Sequence, residues 1–92
     1  MPSLKWTPQS MRDVARLHGF LTSRNKDAAQ RAIRAIGQGA WSLSRFPEAG
    51  RPIEGLADDF REWVIEFGGG AYVAQYRFDS SEVVILAVRA WA

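Results

Sequence analysis

The segment from residue 61 to residue 88 leaves this chain the fewest choices. It holds three strand-like runs, 61–67, 72–78 and 83–88, joined only by Gly68-Gly69-Gly70 and by Asp79-Ser80-Ser81-Glu82. A crossover between parallel strands needs a dozen or more residues, so connections this short force antiparallel hairpins. The first two runs mix polar with apolar and aromatic residues. The third, Val83-Val84-Ile85-Leu86-Ala87-Val88, is continuously apolar, the mark of a strand that is central or covered. A sheet of this kind needs a layer on at least one face.

The first half of the chain supplies that layer. Leu4-Lys5-Trp6 reads as a short strand that ends at Thr7-Pro8, where Thr can cap a helix and Pro suits its first position. Met11, Val14, Leu17 and Leu21 then recur at spacings of three and four, placing one apolar stripe on a helix, with Arg12, Asp13 and Arg16 outside it. Asn25 caps a second helix that runs through Ala28, Ala29, Ala32, Ile33, Ile36, Ala40 and Leu43 and stops at Phe46-Pro47. Gly37 and Gly39 weaken that helix by about 1 kcal/mol each, so packing must hold it or it bends there. The short link between the helices predicts an antiparallel hairpin. Between residues 47 and 59 the breakers Pro47, Gly50, Pro52 and Gly55 predict loop. The expectation is an α+β fold of order β-α-α-β-β-β, a helical hairpin packed on one face of a twisted antiparallel sheet. With 92 residues it forms a single domain, 1–92.

Composition removes several functions. The chain has no cysteine, hence no disulfide, no thiolate nucleophile and none of the usual zinc sites, which fits a reducing compartment. No apolar run reaches signal-peptide or membrane-span length, so a soluble cytoplasmic protein is expected. His18 is the only histidine and stands on the first helix with no partner for a proton relay. No His/Asp/Glu cluster has ligand spacing, so neither metal nor cofactor is expected. Gly68-Gly69-Gly70 leads into a strand without a following Lys-Ser/Thr, which suits a hairpin turn rather than a phosphate loop. Asp58-Asp59 reads as a turn cap rather than a hydrolytic pair.

Charge is unevenly spread. Residues 1–46 carry eight Lys/Arg against Asp13 and Asp27, 8 − 2 = +6, and residues 47–92 carry four against eight acids, 4 − 8 = −4. Arg12, Arg16, Arg31 and Arg34 recur at helical spacings, a cationic face suited to an acidic protein segment. No recognition-helix signature accompanies them, so direct sequence-specific DNA binding is not expected. Of Trp41, Trp63 and Trp91, most are expected in the core, with Trp91 half exposed and able to anchor a partner.

Several of these residues, in this order, resemble one family. Trp6-Thr7-Pro8, Asp13-Val14 and Leu17, Asn25 with Ala28-Ala29, Ile33, Ile36 and Leu43 match its first half. Pro47-Glu48-Ala49-Gly50-Arg51 matches its P-x-x-G-R. Arg61-Glu62-Trp63-Val64-Ile65, Tyr72-Val73, Tyr76-Arg77 and Val84-Ile85-Leu86-Ala87-Val88-Arg89 match its strands. Over nearly its whole length the chain is thus similar to the RelE/ParE superfamily, the toxins of type II toxin–antitoxin and plasmid stabilisation systems. The resemblance implies a growth-inhibiting toxin neutralised by a cognate antitoxin. RelE-like members cut messenger RNA on the ribosome with basic and tyrosine side chains of the sheet. ParE-like members poison DNA gyrase by binding. A shared fold does not choose between them.

The residues lean toward binding. Val73 stands where a ribonuclease of this family has arginine, and Glu62 and Glu66 put negative charge where phosphate would lie. Ala90 stands where the family commonly has histidine, and the chain then reads Trp91-Ala92. A ribonuclease would have to work with Arg61, Arg77 and Arg89 as phosphate contacts and Tyr72 or Tyr76 as acid. For a binding toxin, the cationic helical face of Arg12, Arg16, Arg31 and Arg34 and the half-exposed Trp91 are the expected antitoxin contacts. Arg51 (which matches the P-x-x-G-R arginine), Arg61 and Arg89 are expected as target contacts or loop ties, Arg51 through Glu62 or Glu66. A degenerate member, non-toxic yet still binding antitoxin, is the third possibility.

Overall fold

A computed structural model describes residues 2–91, so Met1 and Ala92, the ends of the expected domain, lie outside the described residues. The elements are β1 (Ser3–Trp6), α1 (Pro8–Thr22), α2 (Lys26–Arg45), β2 (Arg51–Pro52), β3 (Phe60–Phe67), β4 (Gly70–Phe78) and β5 (Glu82–Ala90). The helix starts follow the capping chemistry. Thr7 Oγ1 accepts the Ser10 N–H at 3.1 Å, and Asn25 Oδ1 accepts the Ala28 N–H at 3.0 Å.

The sheet order is β1-β5-β4-β3-β2. From β2 to β5 every neighbour is antiparallel, while β1 joins the far side of β5 in parallel, Ser3 opposite Glu82 and Trp6 opposite Ile85. The hairpin requirement therefore holds for β3–β5, and the complete sheet is mixed. Within the expected loop 47–59, Arg51 and Pro52 pair with Glu62 and Arg61. Proline is tolerated there because β2 is an edge strand that needs no donor on its outer side.

The helical hairpin covers one face. Ala29, Ala32, Ile36, Ala40 and Leu43 of α2 are buried with Ile65, Tyr72, Ala74, Tyr76, Val83, Ile85 and Val88 of the sheet. Small residues let the helix approach closely, and a Cβ on Gly39 would lie 2.7 Å from the Ile65 side chain. The helix runs unbroken through both glycines because Gly39 is a packing contact. A bulge between Gln75 and Tyr76 shifts the β4–β5 register, so the buried positions of β5 pass from Val83 and Ile85 to Val88. An all-apolar strand serves either phase.

Two expectations need correction. Met11 is 62% exposed, whereas Asp13, placed outside the apolar stripe, is 4% exposed and faces the sheet. The reason is an unfinished edge. β1 ends at Trp6, but β5 continues, and its backbone groups beyond Ile85 need partners. The start of α1 provides them: Thr7 N–H donates to Ile85 O at 3.1 Å, Thr7 Oγ1 donates to Leu86 O at 3.1 Å, and Asp13 Oδ2 accepts the Val88 N–H at 3.0 Å. Second, Trp41 lies outside the core at 52% exposure, because Ala40 beside it takes the buried position. Among the described residues no helix is long and apolar enough to cross a membrane.

Candidate functional site

Residues opposite one another in register share a face of the sheet, so the pairing assigns each candidate to a side. Arg61 stands opposite Tyr76 and Ile65 opposite Tyr72. Both tyrosines are buried on the covered side, where burial pushes their hydroxyls above the usual range; for Tyr76 the Gly50 N–H and Arg61 oppose that push. Their work there is structural. Tyr76 Oη donates to Pro47 O at 2.6 Å and accepts the Gly50 N–H at 3.0 Å. Arg61 Nη1 donates to Gly50 O at 2.7 Å and to Glu48 O at 3.3 Å. Tyr72 packs its ring against Phe67, centroids 6.3 Å apart.

Among the described residues no helix covers the other side of the sheet. It presents Glu62, Val64 and Glu66 from β3, Val73, Gln75 and Arg77 from β4, and Arg89, which stands opposite Val73. Trp91 continues this side; its N–H donates to Ala71 O at 2.9 Å and its side chain is 52% exposed. Arg51 reaches over from β2 and pairs with Glu62, Nη2 to Oε1 at 2.7 Å and Nε to Oε1 at 2.8 Å. Arg77 pairs with Asp79 at 3.2 Å. Two shallow clefts meet at Trp91 and Glu62. One, about 420 Å³, reaches Ala49, Arg51 and Val64, and the other, about 310 Å³, reaches Val73 and Arg89.

The residues that a ribonuclease would combine are therefore divided. Arg77 and Arg89 lie on the open face, while Arg61, Tyr72 and Tyr76 are engaged on the covered one. β3 to β5 carry no lysine or histidine. Glu62, the carboxylate nearest the centre of the open face, is occupied by Arg51. What remains there is an aromatic anchor with arginines and exposed aliphatic surface, a composition suited to holding a partner.

The helical hairpin is the second candidate surface. Arg12 donates to Gln9 at 3.2 Å and Arg16 pairs with Asp13 at 3.0 Å, so both engage α1 itself. Arg31 and Arg34 are exposed on α2. Helical spacing continues their row through Gln38 and Trp41 to Arg45, whose guanidinium lies 5.6 Å from the Trp41 ring and 5.8 Å from the Phe46 ring. The four predicted arginines thus fall into two groups on different helices. Trp41 and Arg45 extend the second group, and their spacing of four was the signal that could have found them. Between α1, α2 and β1 runs an apolar groove of about 270 Å³, lined by Trp6, Met11, Val14, Ile33, Ile36 and Gly37. His18 is exposed on α1, and among the described residues no group of three His, Asp or Glu could hold a metal ion.

Comparison with known proteins gives this arrangement a context. A family model described as the ParE toxin of type II toxin–antitoxin systems, parDE, matches residues 4–90. Toxin RelE3 of Caulobacter vibrioides is 35% identical over 89 residues, which is 97% of this chain and 94% of that protein. Among solved structures, a chain of the chromosomal ParDE system from P. aeruginosa superposes with a TM-score of 0.83 at 24% identity, covering 100% of this chain and 98% of that one. A chain of the RelBE2 toxin–antitoxin complex from Mycobacterium tuberculosis gives 0.71 at 25% identity, covering 99% and 100%. This chain belongs to the ParE toxin family of type II toxin–antitoxin systems, within the RelE/ParE superfamily.

Proposed function

We propose that this toxin acts by binding DNA gyrase, as ParE-like toxins do, and that the open sheet face carrying Arg51, Arg89 and Trp91 is its target surface. The observation that carries the reading is the make-up of that face: it offers an exposed tryptophan and arginines, while both tyrosines are buried on the other side. A metal-free ribonuclease needs a base for the 2′-hydroxyl and an acid for the leaving oxygen, each within reach of one phosphate. The cognate antitoxin is assigned to the helical hairpin, which moves Trp91, first expected among its contacts, to the target surface because it continues the open face beside Arg89. There the apolar groove and the Arg31–Arg34–Arg45 row with Trp41 suit an amphipathic acidic segment.

The test is induced expression of the chain alone in a bacterial host, with growth, plasmid supercoiling and messenger RNA integrity followed together. Growth arrest with failing supercoiling and intact messages supports the proposal. Ribosome-dependent cleavage of messages, the RelE-like reading that the name of the Caulobacter vibrioides relative keeps in view, overturns it. Normal growth with retained antitoxin binding identifies a non-toxic member.

A further inference from the structure

We propose that Tyr76 and Arg61 are positioning residues that hold the turn of residues 47–50 so that Arg51 is delivered to the open face as a target contact. This rests on the open-face reading above and adds how that face is built. The turn has one internal backbone bond, Ala49 N–H to Phe46 O at 3.0 Å. Its other ties come from the covered side of the sheet. The Tyr76 hydroxyl takes Pro47 O and the Gly50 N–H, and Arg61 takes Glu48 O and Gly50 O. Gly50 is wedged between them, since a Cβ there would lie 2.6 Å from Glu62 O and 2.7 Å from the Tyr76 ring and hydroxyl. One residue later the chain enters β2, and Arg51 is on the opposite side of the sheet, in register with Glu62. The crossing from covered to open side takes a single peptide, so the placement of Gly50, together with the short β2–β3 pairing, sets the placement of Arg51. The Arg51–Glu62 pair alone does not fix it, because the Arg51 side chain is 67% exposed and such pairs are weak.

The P-x-x-G-R element thereby gains a mechanism: its backbone at Pro47, Glu48 and Gly50 is held by the Tyr76 phenol and the Arg61 guanidinium, glycine is needed because a Cβ would clash, and the arginine is what the turn presents. The experiment uses the purified full chain in three forms, Tyr76→Phe, Arg51→Ala and the double variant, with Arg61→Gln as a second route should Tyr76→Phe fold poorly. Inhibition of gyrase supercoiling, growth arrest and the thermal midpoint are read for each. Arg51→Ala and Tyr76→Phe should each weaken inhibition roughly tenfold. The double variant should be no weaker than Arg51→Ala, because Tyr76 acts through Arg51. Losses that add in the double variant, or a Tyr76→Phe protein of full potency beside a weakened Arg51→Ala protein, overturn the positioning role. Full potency and full growth arrest in Arg51→Ala would instead refute Arg51 as a target contact, whatever Tyr76→Phe does.

Discussion

The two faces of the sheet use the same residue types in opposite ways. On the covered face Tyr76 and Arg61 spend their polar atoms on the backbone of one turn. On the open face Arg89 and Trp91 are exposed, and Arg51 makes one solvent-facing pair. An arginine or tyrosine in a strand is therefore no guide to a site until its side of the sheet is known. In this fold, polar groups under the helices stabilise the scaffold, and those on the open side remain available to a partner.

The contrast can be broken by substitution. The largest effect is expected from Gly50→Ala, where a methyl would be driven into Glu62 O and Tyr76. It should cost about 3 kcal/mol, seen as a fall of more than about 10 °C in thermal midpoint. An unchanged midpoint would mean that the turn is looser than its hydrogen bonds imply. Asp13→Ala comes next, at about 2 kcal/mol, because it strands the buried Val88 N–H. Asp13→Asn retains an acceptor oxygen and should lose less, as urea titration of the two variants can check.

Acid should probe the scaffold rather than the open face. Burial alone would raise the Asp13 carboxyl, but the Val88 N–H, the Gln9 amide and Arg16 overcome it and hold the group below its ordinary value of 3.8. Asp79, which accepts from the backbone of Glu82 and Ser81 and from the Ser81 hydroxyl, is lowered to about 2. Both are depressed on folding, so the unfolded chain binds more protons, and their stabilisation is present above the ordinary value of 3.8 and lost as pH falls through each folded value, for Asp79 about 2. Urea midpoints should drop through that window, and Asp79→Asn should flatten the lower part of the drop. A midpoint constant from neutrality to that limit would contradict both assignments.

Smaller effects sharpen the contrast from the exposed side. Trp41→Ala should weaken antitoxin binding by roughly tenfold while leaving the thermal midpoint nearly unchanged, which calorimetric titration can check. Arg89→Ala should shift stability by less than about 0.5 kcal/mol, since its side chain is exposed and buries little. A large destabilisation there would place Arg89 with the scaffold.

Much of the fold was legible because it is local. Thr7 and Asn25 cap the helices, spacings of three and four mark the second stripe and the first from Val14 onward, and two short connections compel antiparallel hairpins. What escaped was set by distant partners. Asp13 looked like surface because its acceptor role exists only where β5 outruns β1, 75 residues further along the chain. Arg51-Pro52 looked like loop because two residues become a strand only when β3 lies beside them. Tyr72, Ala74 and Tyr76 share the covered side of β4, but which side the helices cover is decided by tertiary packing. The candidate site was legible in its residue types and not in their grouping. The open face keeps Arg77 and Arg89 from the ribonuclease set, and the hairpin adds Trp41 and Arg45 beyond the four arginines first considered.

The parallel pairing of β1 with β5 has a consequence for biosynthesis. Ser3 meets Glu82 only after the intervening helices and strands have left the ribosome, and contacts of such sequence separation are slow to close. The α1–α2 hairpin emerges first, yet its buried face has nothing to pack against until the strands follow. During translation the helical hairpin thus precedes the strands it packs on, and the open sheet face exists only once β3, β4 and β5 have paired.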